Sequence, residues 1–203
     1  RFVTIEVDGP LLDVLERFGV MPLPPYITEV LAEQERYQTV FAERPASAAA
    51  PTAGLHLTPE LLARCSDRGI VRADVELVVG LGTFRPIATN QIEDHVMHGE
   101  FFRVPQETLD ACARTKANGG RVVAVGTTAV RALESAAAFG TTEGRTELFI
   151  HSDYEFAIVD RLMTNFHLPK SSLILMIDAF IGPRWRDLYA DALRDGYRFL
   201  SFG

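Results

Sequence analysis

The sequence predicts an α/β fold with a mainly parallel sheet, open or closed into a barrel. Three observations lead there. Helical and strand signals alternate along the chain, Pro and Gly mark helix starts and ends, and short β-branched strands follow the helices directly. Of the 203 residues 47% are hydrophobic and 23% charged, which suits one substantial core and excludes a disordered chain.

Taken in order, residues 1–8 (RFVTIEVD) alternate like a strand and read as the end of a unit that begins earlier. Leu11, Val14, Leu15 and Phe18 fall at helical spacing, and the prolines of MPLPPY (21–26) then impose an extended crossing. Ala46 to Pro51 is a small-residue loop. Thr58 is placed to cap a helix with Pro59 at its first position and Gly69 past its end, after which Val75, Leu77 and Val79 alternate as a half-buried strand. Pro105 opens another helix, Gly119 and Gly120 close it, and the strand Val122–Val125 follows. Arg121 to Ser135 runs from strand through Gly126, Thr127 and Thr128 into a helix for which Thr128 is the expected N-cap. From Val159 to Gly182, a polar turn with Asn165, His167, Lys170 and two serines feeds an apolar run, Leu173 to Ile181, expected as a buried strand.

Several classes are excluded. The apolar run is interrupted by Asp178 and falls well short of the roughly 20 residues that cross a bilayer, so no membrane span is expected. Cys65 and Cys112 are isolated, which argues against a disulfide framework or cysteine zinc site and fits small core residues in a reducing cytosol. The chain opens at Arg1 without an initiator Met or a secretory pattern, as a piece of a longer polypeptide would. The net charge of −7 is the wrong sign for gripping a polyanion. Arg184, Arg186, Arg194 and Arg198 offer a local patch, yet Asp187, Asp191 and Asp195 interleave with them as on a solvated mixed-charge helix.

Polar constellations supply the candidate chemistry. His95, His98 and Glu100, beside Glu93 and Asp94, fit a metal site, a loop of backbone-bonded histidines, or a metal-free site in which one His carries a proton. The spacing of zinc peptidases is absent. His56 precedes a capped helix and is either a turn residue or part of a site. Thr83, Phe84 and Arg85 sit in a Gly-flanked turn that is weak as a phosphate cradle. The first turn of the helix after Gly126 would favour a carboxylate or phosphate, or is simply an ordinary capped helix. Arg131 and Glu134, three apart, are expected as an exposed ion pair.

Ordered blocks now give a family resemblance: YQTVFA (37–42), AAPTAGLH (49–56), GLGTFRP (80–86), EDHVMHGE (93–100), VGTTAVRALES (125–135), TNFHLPKSSL (164–173) and YRFLSFG (197–203). In this order they resemble the S-adenosylmethionine:tRNA ribosyltransferase-isomerases of queuosine biosynthesis, over essentially the whole chain but only the later part of that family's protein. The resemblance implies an α/β-barrel-like main domain, residues 9–203, with residues 1–8 as the last strand of a small inserted β-barrel domain.

What it implies chemically is a ribosyl transfer. S-adenosylmethionine would give its ribosyl carbons to the aminomethyl group of a 7-deazaguanine at the tRNA wobble position, forming the epoxycyclopentane of epoxyqueuosine and releasing adenine and methionine. The sulfonium acidifies the adjacent C5′ hydrogens, so a positioned base can start the reaction without a metal, and departing adenine needs a proton. On this map His95, His98, Glu100 and His167 contain the base and acid, and Asn165, Thr127, Thr128 and Arg131 hold the methionine carboxylate and ribose. His56, Thr83, Phe84, Arg85 and Phe166 complete the substrate-binding set, either Phe being a stacking surface for the base or a core residue.

Implied with it are no permanently bound cofactor or metal, S-adenosylmethionine as substrate, a tRNA anticodon loop as partner, no membrane, a monomer, and a cytoplasmic location. The chain departs from the family's usual pattern at Val78 (for His), Ala129 (for Ser), His151, Ser152 and Asp153 (for Tyr-Pro-Gly) and Asp178 (for a small polar residue). Those departures and the acidic balance favour, as the alternative, a same-fold enzyme acting on S-adenosylmethionine with a small-molecule acceptor; a non-catalytic S-adenosylmethionine- or nucleoside-binding module is a third reading. Asp178 is expected either to shape the acceptor pocket or to pair with an Arg or Lys.

Overall fold

The computed structural model describes residues 4, 6–20, 23–24, 26–28, 31–80 and 97–201. Helices and strands mix as expected of an α/β chain. In order they are α1 (Leu11–Phe18), α2 (Pro59–Asp67), β1 (Glu76–Val78), β2 (Glu100–Arg103), α3 (Gln106–Ala117), β3 (Val123–Val125), α4 (Thr127–Phe139), β4 (Glu143–Thr146), β5 (Arg161–Met163), α5 (Ser172–Ile181) and α6 (Trp185–Arg194), with 3₁₀ turns at Gln34–Tyr37, Thr52–His56 and Gly182–Arg184. The expected strand over residues 1–8 lies partly outside the described residues, and its described positions are not in a strand.

Among the described residues the sheet is not mainly parallel. There β1, β2 and β4 form an antiparallel sheet in that order, and β3 pairs in parallel with β5. The helix-to-strand rhythm suggested parallel crossovers throughout. It misled because β2 pairs with β4 across α3, β3 and α4, joining strands that are not consecutive. Among the described residues these short strands form two open sheets, with no closed barrel.

Several boundaries follow their local chemistry. Thr58 caps α2 by accepting the Leu61 N–H at 3.2 Å, Pro59 occupies the first turn, and Gly69 takes a φ of +75° beyond the end. Pro105 precedes α3, and Gly119 follows it at φ +73°. At α4 the expected cap is corrected: the N-cap is Gly126, no side chain caps the helix, and Thr128 is its second residue. Gly126 sits at φ +92°, a conformation side chains resist, and this sharp bend turns β3 directly into α4.

A larger correction concerns Leu173–Ile181, which is helix α5 and not a strand. Ser171 accepts the Ile174 N–H at 3.4 Å as N-cap, and Gly182 at φ +62° ends the helix. Ile174, Met176 and Ile177 are its buried residues, and an apolar run this short carries no period that separates a buried strand from a buried helix.

The core lies between the antiparallel sheet, α4 and α5. Phe102, Val104, Val130, Ala132 and Ile150 are buried almost completely and pack with Val122, Leu133, Val159 and Met176. Full burial of a side chain such as Phe102 contributes roughly 1.5–3 kcal/mol. Helix α4 is the central strut, with every residue from Val130 to Ala136 buried, including two charged ones. By contrast α1 buries none of its residues. Cys65 and Cys112 are both free and only partly buried, so neither is a fully enclosed core residue.

Candidate functional site

Parallel strands end side by side, and that edge is where polar groups collect. Val123, Ala124 and Val125 of β3 register with Arg161, Leu162 and Met163 of β5, and Gly126 N–H donates to the Met163 carbonyl at 2.9 Å. The chain therefore leaves both strands at one edge, through Gly126–Thr127–Thr128 on one side and Thr164–Asn165–Phe166–His167 on the other. The carboxyl edge of parallel strands is the usual ligand crevice of α/β proteins.

The 3₁₀ turn Thr52–His56 is tied to this edge by one amide. Asn165 Nδ2 donates to Thr52 Oγ1 at 3.0 Å, and Asn165 Oδ1 lies 3.1 Å from Nε2 of the exposed His56. With Oδ1 as acceptor, Nε2 of His56 is the donor in this contact. Two residues expected at the site, 109 positions apart, are thus in contact. Thr52 was not expected. Its only sequence signal is its place in the AAPTAGLH block with His56.

His167 is held differently. Its Nε2 lies 3.3 Å from Thr164 Oγ1, its Nδ1 lies 3.4 Å from the Tyr189 hydroxyl, and its backbone N–H donates to that hydroxyl at 3.1 Å. Burial lowers its pKa to about 4, so the ring is neutral near pH 7. A neutral imidazole with hydroxyls at both nitrogens suits an orienting role or a base in water-poor surroundings better than a proton donor. Tyr189 had no local sequence signal, lying 22 residues away on α6. Phe166 packs edge-on against Tyr189 and Tyr197 and stacks on Phe199, with centroids at 5.1, 5.8 and 5.3 Å. Lys170, in the turn before α5, takes a left-handed φ of +59°, uncommon for a side-chain-bearing residue.

A pocket opens beside this edge, lined by Glu100, Thr127, Thr128, Arg131, Ser172 and Met176 among others. Arg131 and Glu100 are both buried and form an ion pair through Arg131 Nη1 and Glu100 Oε2. The expected exposed pair of Arg131 with Glu134 is therefore corrected: Arg131 faces β2, whereas Glu134 accepts the backbone N–H groups of Ala157, Ile158 and Val159 at 2.8, 3.0 and 2.9 Å. Both charges are buried because α4 is enclosed around its circumference, and each has found a partner elsewhere.

His98 is exposed two residues before Glu100. His95, Thr83, Phe84 and Arg85 lie outside the described residues, as do Glu93 and Asp94. Among the described residues Asp178 pairs with neither Arg nor Lys; its Oδ1 accepts the Trp185 indole N–H at 2.6 Å. On α6, Arg194 pairs with Asp191 at 2.6 Å and Asp195 at 3.4 Å, and the Arg186 guanidinium lies 4.8 Å from the Trp185 ring centre, as a mixed-charge helix would have it. Among the described residues no group of three or more His, Cys, Asp or Glu could hold a metal ion, and no helix is long and apolar enough to cross a membrane.

Comparison with known proteins adds an independent line. A family model described as queuosine biosynthesis protein matches residues 1–203. The chain is 54% identical over 201 residues to the S-adenosylmethionine:tRNA ribosyltransferase-isomerase of Acaryochloris marina, covering 97% of this chain and 54% of that protein. It is 51% identical over 208 residues to the protein of the same name from Pelotomaculum thermopropionicum, covering 100% of this chain and 61% of that one. The crystal structure of S-adenosylmethionine tRNA ribosyltransferase from Thermotoga maritima is similar with a TM-score of 0.62 and 39% identity, over 74% of this chain and 49% of that one. The chain thus spans about half to three-fifths of the length of these relatives.

Proposed function

The chain belongs to the queuosine biosynthesis protein family, and from that premise we propose that it is the later part of an enzyme that transfers and isomerises the ribosyl moiety of S-adenosylmethionine. The acceptor is the aminomethyl-deazaguanine at the wobble position of tRNA, and adenine and methionine are released. The observation that carries this reading is a family match along the whole chain together with the His56–Asn165–Thr52 contact and the Arg131 pocket at one strand edge.

In this reading Thr127, Thr128, Arg131 and Asn165 hold the methionyl and ribosyl parts. The proton-transfer groups are drawn from His95, His98, Glu100 and His167, with His56, Thr83, Phe84, Arg85 and Phe166 around the substrates. The disposition of Asn165 favours adding His56 to the proton carriers. Deprotonation next to the sulfonium needs a base within hydrogen-bond reach, which the imidazole beside this amide supplies. Residues 9–203 serve as the α/β-barrel-like catalytic domain of a monomer, residues 1–8 close an inserted β-barrel domain, and the enzyme works in the cytoplasm, where tRNA is modified.

The decisive assay is adenine release from S-adenosylmethionine by the intact protein, with and without tRNA bearing the aminomethyl-deazaguanine. Release that depends on that tRNA is the expected result. Release without it points to a small-molecule acceptor, and no release under either condition sinks the reading. His98→Ala and His167→Ala variants that both keep full activity overturn the choice of proton carriers.

A further inference from the structure

Lys170 stands where two costs meet with nothing in the fold to offset them. Its φ of +59° is left-handed, a conformation that favours glycine, and it immediately precedes Ser171, the N-cap of α5, where the helix dipole disfavours a cation. The side chain is exposed and makes no hydrogen bond or ion pair among the described residues. The sequence adds a contrast. Only two of its 20 basic residues are lysines, and the other, Lys116, donates to the Ala157 carbonyl at 2.9 Å and pairs with Asp160 at 3.4 Å. Contacts within the fold therefore account for Lys116 and not for Lys170. Residues held in a strained backbone conformation persist only where their surroundings over-determine them, and they collect at sites of function.

The loop around it is anchored on both sides. Before it, the buried His167 donates its N–H to the Tyr189 hydroxyl at 3.1 Å, and the Phe166 carbonyl accepts the Leu200 N–H at 2.9 Å. After it, Ser171 Oγ donates to the Leu168 carbonyl at 2.8 Å and accepts the Ile174 N–H at 3.4 Å. Between these anchors Leu168, Pro169 and Lys170 form an exposed tip, with Leu168 itself 52% exposed. Asn165 at the strand edge is five positions back, a reach of at most about 18 Å. Lys170 does not line the Arg131 pocket, so the tip is a feature outside it.

The chemistry of the tip selects its partner. An unpaired ammonium with three rotatable donors binds an anion as a point charge, as lysine does with phosphate, and the apolar Leu168 beside it matches the sugar carbons that separate phosphates in a nucleic-acid backbone. The net charge of −7 repels a polyanion from the surface at large, and Arg194 on α6 is already occupied by Asp191 and Asp195, so an unopposed cation near the site gains weight. We propose that the Leu168–Lys170 tip docks the tRNA backbone, with the Lys170 ammonium on a phosphate next to the base that enters the strand-edge site. This rests on the functional reading above and adds to it a contact that fixes the RNA and not S-adenosylmethionine.

The test is binding of fluorescently labelled tRNA to the intact protein, followed by anisotropy over a range of salt concentrations. Lys170→Gly and Lys170→Gln should each raise the dissociation constant about threefold to tenfold and reduce the slope of its logarithm against that of the salt concentration by about 1. The loss should be equal for tRNA with and without the aminomethyl-deazaguanine, because a phosphate contact carries no base information. Lys170→Arg keeps the charge and should stay within about twofold of wild type. Glycine accepts the left-handed turn, so Lys170→Gly should melt about 2–4 °C higher, which separates lost binding from lost folding. Calorimetric affinity for S-adenosylmethionine should be unchanged in all three variants. Unchanged tRNA affinity and salt slope in both neutral variants, or a loss that falls on S-adenosylmethionine instead, overturns the proposal. If the wild-type protein binds tRNA but releases no adenine, the ribosyl-transfer reading falls while the variants still judge the contact; if it binds no tRNA, both fall.

Discussion

The Glu134 carboxylate accepts the Val159 backbone N–H at 2.9 Å across 25 residues of chain. The neighbouring N–H groups of Ala157 and Ile158 join it, so one side chain gathers three amides of the segment that enters β5. Tyr154 lies 3.4 Å away through its hydroxyl, and its pKa is pushed up to about 12, first by burial and then by the charge of Glu134. Glu134→Gln turns an amide NH₂ toward these donors and should lower stability by about 2–4 kcal/mol. Urea denaturation at pH 7 measures it; a loss under about 0.5 kcal/mol would mean the three bonds do not fix the segment.

His167 gives a pH dependence with a definite sign. Its folded-state pKa, about 4, lies below the ordinary 6.5, so on acidification the unfolded chain takes up the proton first. The stabilisation is fully present above about pH 6.5 and is lost as pH falls through 4, amounting to about 3 kcal/mol across that window. His167→Asn should flatten the fall in stability between pH 6.5 and 4.5 relative to wild type. Parallel slopes would show that His167 titrates normally.

The Thr58 cap is a local test. Thr58→Ala should cost about 1 kcal/mol of stability while adenine release is unchanged, since the hydroxyl serves the start of α2, accepting the Leu61 N–H and bonding the Glu60 side chain. A thermal melt and the release assay decide it, and an unchanged melting temperature would discount the cap.

Asn165 joins strand edge and turn, so its loss should act on the reaction more than on the fold. Asn165→Ala should reduce kcat/KM for adenine release about tenfold to a hundredfold, with less than about 1.5 kcal/mol lost in stability. Full activity in this variant would remove the His56–Asn165 contact from the site.

Local chemistry made much of this legible in the sequence. Thr58, Pro59 and Gly69 announce α2, and Pro105 with Gly119 brackets α3, because caps and breakers act within a few residues. Leu173–Ile181 failed as a strand although Ser171 and Gly182 stood at its ends as helix caps; the apolar run outweighed them. Arg131 and Glu134 failed for a longer-range reason. Their spacing describes an exposed helix, and only packing against β2 and the segment before β5 shows that the helix has no exposed side there. The pairing of His56 with Asn165 was legible only as shared membership of a set, since nothing in either local sequence fixes a contact across 109 positions.

One consequence of α4 remains. Three residues apart on the same cylinder, Arg131 grips the start of one sheet strand while Glu134 grips the approach to a strand of the other sheet. Sliding the cylinder by a single residue would swing its side chains by about 100° and break both grips together. It is therefore the fixed datum of the molecule, and any adjustment to an incoming ligand falls to the segments around it.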